Sequence, residues 1–268
     1  MLDVTCGQAS HPGKIRSCNE DAMGAFLPAS PQQAQAQGWM FVVADGVGGM
    51  DLGDVASARA VDVMLREFAL APHGTLLTGL MPRLVQYANA AVHDDGLQPS
   101  TRGKRMATTV VACALRHDQV VVTNVGDSRC YQVRRGKAVA VTHDHTVVAE
   151  QRRLGLISAI EAEQSEFRHI LTRALGPERF VSPDTTTLTL KAGDMLVLCS
   201  DGLHGALYDE NIAQICSRSR DAQEAADVLV RTAVDVDGSD NATAQVISIH
   251  SVEPAALYRR KPYRIPGF

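Results

Sequence analysis

Four aspartates carry most of the chemical information in this 268-residue chain. Asp45 ends the apolar run "WMFVVAD" and is followed by Gly46, Val47, Gly48 and Gly49. Asp127 stands in "VGDSR", Asp201 follows "MLVLCS" and precedes Gly202, and Asp240 precedes Asn241 in "GSDNAT". Asp and Gly favour turns on their own account, because Asp bonds to its own backbone and Gly accepts positive φ. The repetition says more, since strands of one sheet bring their ends together in space. Two carboxylates ~4 Å apart repel by about 4 kcal/mol at an effective dielectric of 20; a divalent cation removes that cost. An all-oxygen ligand set suits Mg²⁺ or Mn²⁺, whereas zinc usually recruits His or Cys. The competing zinc candidate is "HDH", His143 to His145, whose imidazoles would share one side of an extended segment. No Cys or second His pair stands near it, so it reads as a loop of hydrogen-bonding histidines.

The rest of the composition narrows the class. A chain 45% hydrophobic and of this length builds one substantial core. The net charge of -4, from 26 basic and 30 acidic residues spread along the chain, announces no basic face for nucleic acid. No apolar run approaches the roughly 20 residues of a membrane helix, and "MLDVTCGQAS" has neither a basic nor a hydrophobic leader segment. A cytoplasmic protein is expected. The six cysteines, Cys6, Cys18, Cys113, Cys130, Cys199 and Cys216, lie far apart without a CxxC pair, as free thiols of a reducing compartment do.

Apolar periodicity supplies the elements that must position the acids. "WMFVVAD", "ATTVVACAL", "QVVVTNV", "SRCYQV", "KAVAVT", "TTLTL", "DMLVLCS" and "AQVISIH" are short, largely β-branched and bounded by turn residues, as strands are. Hairpin-sized gaps at "RHDQ", "VGDS" and "RRGK" predict an antiparallel meander from Met106 to Thr142. In "DVASARAVDVMLREFAL" the residues Val55, Ala58, Val61, Leu65 and Phe68 step by three or four, predicting the buried face of a helix. "GLMPRLVQYANAAVHDD" is its expected partner. "DENIAQIC" and "DAQEAADVLVRTAVD" form a second pair, the latter with Asp221 and Glu224 at capping-box spacing. "PASPQQAQAQG", Pro28 to Gly38, reads as a surface loop. The tail "LYRRKPYRIPGF" from Leu257, with four basic residues and two prolines, reads as a loosely ordered terminus. Strands in a meander flanked by helix pairs make an α+β pattern.

In order along the chain, "GKIRSCNED", "VVADGVGG", "TNVGDSR", "DHTVV", "LTRALG", "LCSDGL" and "GSDNATAQVI" resemble the metal-dependent serine/threonine protein phosphatases of type 2C, in their compact bacterial form. The resemblance covers nearly the whole chain. It implies an α+β, four-layer αββα sandwich with two central antiparallel β-sheets and two or three Mn²⁺ or Mg²⁺ ions at one end. Residues 1–250 would be the catalytic domain, with a flap over about 146–173, and 251–268 a basic tail. By resemblance Asp45 bridges two ions, the Gly46 carbonyl binds one, and Asp201 and Asp240 complete the other. Asp127 and Asp201 hold a third ion, Glu20 and Asp21 make water-mediated contacts, and Arg16 grips the substrate phosphate. Asp45, Asp201 and Arg16 thus carry catalysis. Phosphorylated proteins are the implied substrates and a serine/threonine kinase the implied counterpart, with the phosphatase itself a monomer.

The chemistry suits these residue types directly. Two cations about 3.5–4 Å apart lower the pKa of a shared water, supply hydroxide for in-line attack on phosphorus and shield the phosphate. Arginine donates two parallel hydrogen bonds to phosphate where lysine offers a point charge. Four departures from the family pattern stand out. Val47 occupies a position held by His or Met in relatives and cannot donate a proton to the leaving alkoxide. His11 replaces a frequent acid, and Ala107 a common glycine. In the flap, Ser165-Glu166 and His169 replace a frequent His-Pro and Asn, and flaps act mainly on substrate choice. Two other readings share the pattern: a catalytically silent phosphatase-like binding module, and a small-molecule phosphoesterase. The first would be favoured by loss of a metal aspartate, and none is lost.

Overall fold

The computed structural model describes residues 2–47, 51–101, 104–252, 256–258 and 261–263; Gly48 and Gly49 lie outside them. Two five-stranded antiparallel sheets face each other. One has the order β1 (Asp3–His11), β10 (Ala242–Ser251), β9 (Met195–Cys199), β6 (Arg129–Arg134), β7 (Lys137–Ala140). The other has the order β2 (Asp21–Phe26), β3 (Trp39–Asp45), β4 (Val110–Arg116), β5 (Gln119–Val125), β8 (Asp184–Thr189). Helices α2 (Gly53–Leu70) and α3 (Leu77–Gly96) cover the second sheet; α7 (Asp209–Arg218) and α8 (Ala222–Val236) cover the first, with the short α6 (Asp201–His204) beneath them. The order of layers is the expected αββα sandwich.

Three apolar layers explain why the inner strands read as unbroken hydrophobic runs. Successive side chains on a strand point to opposite faces. In β3, Met40, Val42 and Ala44 pack against α2 and α3, while Phe41 and Val43 meet the opposite sheet. In β9, Val197 and Cys199 face α7 and α8, while Leu196 and Leu198 fill the space between sheets. A strand buried on both faces has no polar alternation to show.

The strands and long helices fall where periodicity puts them, and several expectations need correction. The predicted meander is two hairpins: β4 and β5 pair in one sheet, β6 and β7 in the other. "VGDS" is therefore no hairpin turn but the crossing from sheet to sheet, since β5 pairs with β4 and β8, never with β6. Periodicity alone cannot separate the two, because both need a short polar break. Strands β1 and β2 carried no clear apolar pattern and went unread; both are edge strands with half-exposed residues. The buried stripe of α2 runs through Ala56, Ala60, Val61, Met64 and Phe68, and Val55 and Ala58 face solvent. The proline-rich loop holds a short helix, α1 (Pro31–Ala36), capped by the Ser30 side chain. In α8, Asp221 caps the Glu224 N–H at 2.8 Å, but Glu224 turns to Arg220 instead of completing a capping box. The described tail residues form a separate ladder of β11 (Ala256–Tyr258) and β12 (Lys261–Tyr263).

One close approach ties a helix layer to its sheet. A Cβ on Gly7 in β1 would lie 2.2 Å from the Ala222 carbonyl oxygen at the start of α8, whereas at Gly79 in α3 it would meet nothing within 4 Å. Gly7→Ala should thus lower stability by roughly 1–3 kcal/mol through overpacking, and Gly79→Ala should raise it by up to about 1 kcal/mol through helix propensity. Urea midpoints of the two variants would move in opposite directions; equal shifts would contradict the packing.

Candidate active site

Antiparallel pairing brings the acids together. Each strand's C-terminal end lies beside its neighbour's N-terminal start, so residues just past one and just before the next share an edge. Asp21 pairs with Asp45 across β2 and β3, and Val110 with Val125 across β4 and β5, which leads into Asp127. In the facing sheet, His11 pairs with Ala242, just after Asp240, and Cys199 pairs with Arg129, just before Asp201. Asp21, Asp45, Asp127, Asp201 and Asp240 therefore collect at one end of the sandwich, from both sheets. Among the described residues no three acidic, imidazole or thiol groups already close on a single point; separate strand ends gather the acids pairwise around one end of the sandwich.

Their electrostatics report the gathering. Burial, then the charges of Asp21, Asp201 and Asp127, push the Asp45 carboxyl well above the ordinary carboxylate range, and Asp201 lies close enough to share its proton. Burial and the charges of Asp201 and Asp144 raise Asp127. Burial raises Asp21, against hydrogen bonds from Thr243 and Ser200. Such shifts mark functional sites as well as structural ones. Here burial is the largest cause for each, and neighbouring carboxyls add to it.

Small polar residues, none singled out from the sequence, hold the acids. The Asp45 carbonyl accepts from the Thr109 N–H and the Thr108 hydroxyl, both at 2.8 Å, and the Asp45 N–H donates to Thr109 Oγ1 at 3.1 Å. Thr109 Oγ1 also bonds Ser128 Oγ at 2.7 Å, tying β4 to the crossing that carries Asp127. Ser200 donates to Asp21 Oδ2 at 2.8 Å. Asn241 is buried and clamps the segment before β2: its amide donates to the Pro12 and Cys18 carbonyls and its oxygen accepts from the Glu20 N–H at 2.7 Å. That segment carries Arg16, whose Nη2 donates to Asp240 Oδ2 at 2.7 Å. The Gly46 N–H donates to the Glu20 carbonyl at 3.0 Å, and a Cβ there would lie 2.4 Å from the Gly53 carbonyl oxygen. The only sequence signal for Ser128, Ser200 and Asn241 is their adjacency to an acid, which ordinary turn residues share; Thr108 and Thr109 carry none.

The residues fit divalent cations. The gathered donors are all oxygens, the choice of Mg²⁺ and Mn²⁺, and Asp21 Oδ1 is buried without a hydrogen-bond partner. A buried acceptor left unpaired is costly. The alternative at His143 and His145 does not converge: His143 is exposed and His145 buried.

The sequence pattern of protein phosphatase 2C matches residues 8–242. The chain belongs to the protein phosphatase 2C family. It is 35% identical to the serine/threonine phosphatase stp of Listeria monocytogenes over 88% of this chain and 92% of that protein. Among solved structures it resembles the serine/threonine phosphatase of S. agalactiae, with a TM-score of 0.83 at 27% identity over 92% of this chain and all of that one. The catalytic domain of the phosphatase PstP, solved with two manganese ions, superposes with a TM-score of 0.79 at 28% identity over 94% of this chain and 100% of that one. Against this background the 2C departures become concrete. His11 accepts the Gly13 N–H through Nδ1 at 2.9 Å, serving a turn. Ala107 pairs with Val47 through the backbone at 3.0 Å. His169, in the segment after α4 (Val147–Arg153) and α5 (Ala159–Gln164), brings Nδ1 to 4.0 Å from Asp201 Oδ2.

The repulsion among the acids yields a measurement that needs no substrate. Chelator-treated protein should gain stability on adding Mn²⁺, by about 2.7 kcal/mol at a hundredfold excess over Kd. Asp45→Asn should make the metal-free protein more stable and remove most of that gain. The pH dependence has a definite sign. Folded carboxyls with raised pKa keep protons that the unfolded chain has released, so metal-free stability falls as pH rises from about 4 towards neutrality. Thermal melts across that range check both; stability rising with pH in the metal-free protein would refute the gathering.

Proposed function

We propose that the five gathered aspartates form the cation site of a Mn²⁺- or Mg²⁺-dependent serine/threonine protein phosphatase. The observation that carries this reading is their convergence from both sheets on one end of a 2C fold, with carboxyls raised by burial and by one another's charge. Asp45, with the Gly46 carbonyl, Asp201 and Asp240, would hold two cations; Asp127 and Asp201 would hold a third, and Glu20 and Asp21 would act through water. Bound there, the cations activate water and shield the phosphate's charge.

The chain's own residues do the rest. Thr108 and Thr109 keep the Asp45 backbone rigid, as a shared ligand requires. Arg16 sits at the rim, its side chain 39% exposed, in an ion pair with Asp240. Such an exposed pair contributes only about 0–1 kcal/mol, so a doubly charged phosphate displaces it readily and takes both arms of the guanidinium. Val47 offers no proton to the departing alkoxide, which separates this site from relatives with a histidine there. All five acids are present, which disfavours a silent binding module, and small phosphoesters are side substrates of the same chemistry. The protein works as a monomer opposite a cognate serine/threonine kinase.

Asp201→Asn should lower kcat on a phosphothreonine peptide by at least ~10³-fold with circular dichroism unchanged. Arg16→Lys should raise KM about tenfold and disturb kcat less. An Asp201→Asn protein with full Mn²⁺-dependent activity would overturn the assignment.

A further inference from the structure

Asp127 is held differently from the other acids. It lies in the crossing between sheets, which neither ladder covers, one residue after Gly126. The Gly126 φ of 101° is a glycine conformation, and a Cβ there would lie 2.6 Å from the Thr109 side chain. A segment from further along the chain is stitched to this crossing. Asn124 donates to the His143 carbonyl at 2.8 Å, and Arg129 grips Asp144 with bonds of 2.8 and 2.6 Å.

His204 Nε2 bonds the Asp127 carbonyl at 2.9 Å, and within the stitched segment His145 makes the connection nearest to Asp127. Its ring Nδ1 accepts from the Gly126 N–H at 3.1 Å, and its own N–H donates to the Gly126 carbonyl at 2.9 Å. Both polar backbone groups of the residue before Asp127 thus end on His145. The same residue holds the neck of the flap. Its carbonyl accepts from the Thr172 N–H at 2.8 Å, the next residue, Thr146, bridges to Leu171, and the Val147 N–H donates to the Ile170 carbonyl at 2.9 Å. The ring is only 3% exposed. Because the Gly126 N–H can only donate, Nδ1 must carry a lone pair, which puts the neutral ring's proton on Nε2. Nε2 faces Arg173 Nη1 at 3.2 Å and Asp184 Oδ2 at 3.4 Å. The two hydrogens of that Nη1 have acceptors in Asp184 Oδ1 at 2.9 Å and the Ser182 carbonyl at 3.3 Å, which leaves the Nε2 proton to Asp184.

We propose that His145 is a positioning residue for the cation site at Asp127, holding the sheet crossing and the neck of the flap in one register. The proposal rests on the cation reading of Asp127 given above and assigns His145 no metal contact. Without an acceptor at position 145 the Gly126 N–H loses its partner and the backbone bond to its carbonyl remains, so the Asp127 carboxyl is held less firmly among its neighbours. By linkage, a cation held at Asp127 steadies the flap to the extent that the flap steadies the site.

The test is Mn²⁺ titration of the chelated full-length protein by calorimetry, with Asp127→Ala identifying the class of sites that depends on that acid, and amide exchange measured in parallel. His145→Phe keeps the ring's bulk and removes the acceptor; His145→Asn keeps an oxygen close to the place of Nδ1. The phenylalanine variant should weaken the Asp127-dependent class about 10–100-fold, as loss of partners behind metal ligands does, and residues 147–171 should exchange faster in Mn²⁺. The asparagine variant should restore both to within about threefold of wild type, well inside that range. An unaltered class in His145→Phe overturns the inference alone, as does an asparagine variant as impaired as phenylalanine, which would assign the effect to packing. A wild-type protein with no Asp127-dependent class overturns both this inference and the cation reading. If the phenylalanine variant does not fold, nitrogen NMR of the wild-type ring decides: an Nε2–H tautomer with a slowly exchanging Gly126 amide is expected, and an Nδ1–H tautomer refutes the proposal.

Discussion

Like charges gathered in a poorly solvated pocket repel one another, and the architecture has to hold them against that force. Asp45, Asp21 and Asp127 are each raised by burial and by neighbouring acids, so a carboxylate on a soft loop would swing into water. The chain places each on, or one or two residues from, the end of a strand whose register is set by the ladder beside it. Where the ladder stops short, as at Asp127, side chains take over: Ser128 bonds Thr109, and His145 holds Gly126.

The four-layer arrangement is the frame this requires. A strand buried on both faces, such as β3 with Met40 and Val42 towards the helices and Phe41 and Val43 towards the facing sheet, has little freedom to slip, because a shift of one residue would exchange its two faces. Rigidity at the strand end then follows from packing along the strand. The loops joined to that frame are arranged otherwise. The flap rests on its neck at residues 145–147 and 170–172 and presents exposed apolar side chains, including Phe167 and Ile170, beside His169. On the function proposed above, chemistry sits on the stiff part of the molecule and substrate contact on its loops.

Membership of the 2C family, the αββα fold and the acids themselves were all legible in the sequence, because each leaves a local signature: apolar runs of strand length, or an aspartate beside glycine at the end of one. The helpers were not legible. Thr108, Thr109, Ser200 and Asn241 are ordinary polar residues until the fold brings them to Asp45, Asp21 and Glu20. The edge strands β1 and β2 were missed for a related reason: half-exposed strands carry a weak hydrophobic pattern.

The residue types at positions 45, 127, 201 and 240 were set by the sequence alone, and with them the preference for hard cations, since oxygen ligands suit no other common choice as well. Valine at 47 likewise decides, without any coordinates, that no proton comes from that side chain. Only the tertiary structure decided that "VGDS" crosses between sheets instead of turning within one. The local pattern of a short polar break is the same in both cases, and the partners of β5 and β6 lie far away in the chain. Placing His145 against Gly126, and Arg16 against Asp240 across more than two hundred residues, is likewise a product of strand pairing at long range, where side-chain identity says what can bond and only the fold says what is near.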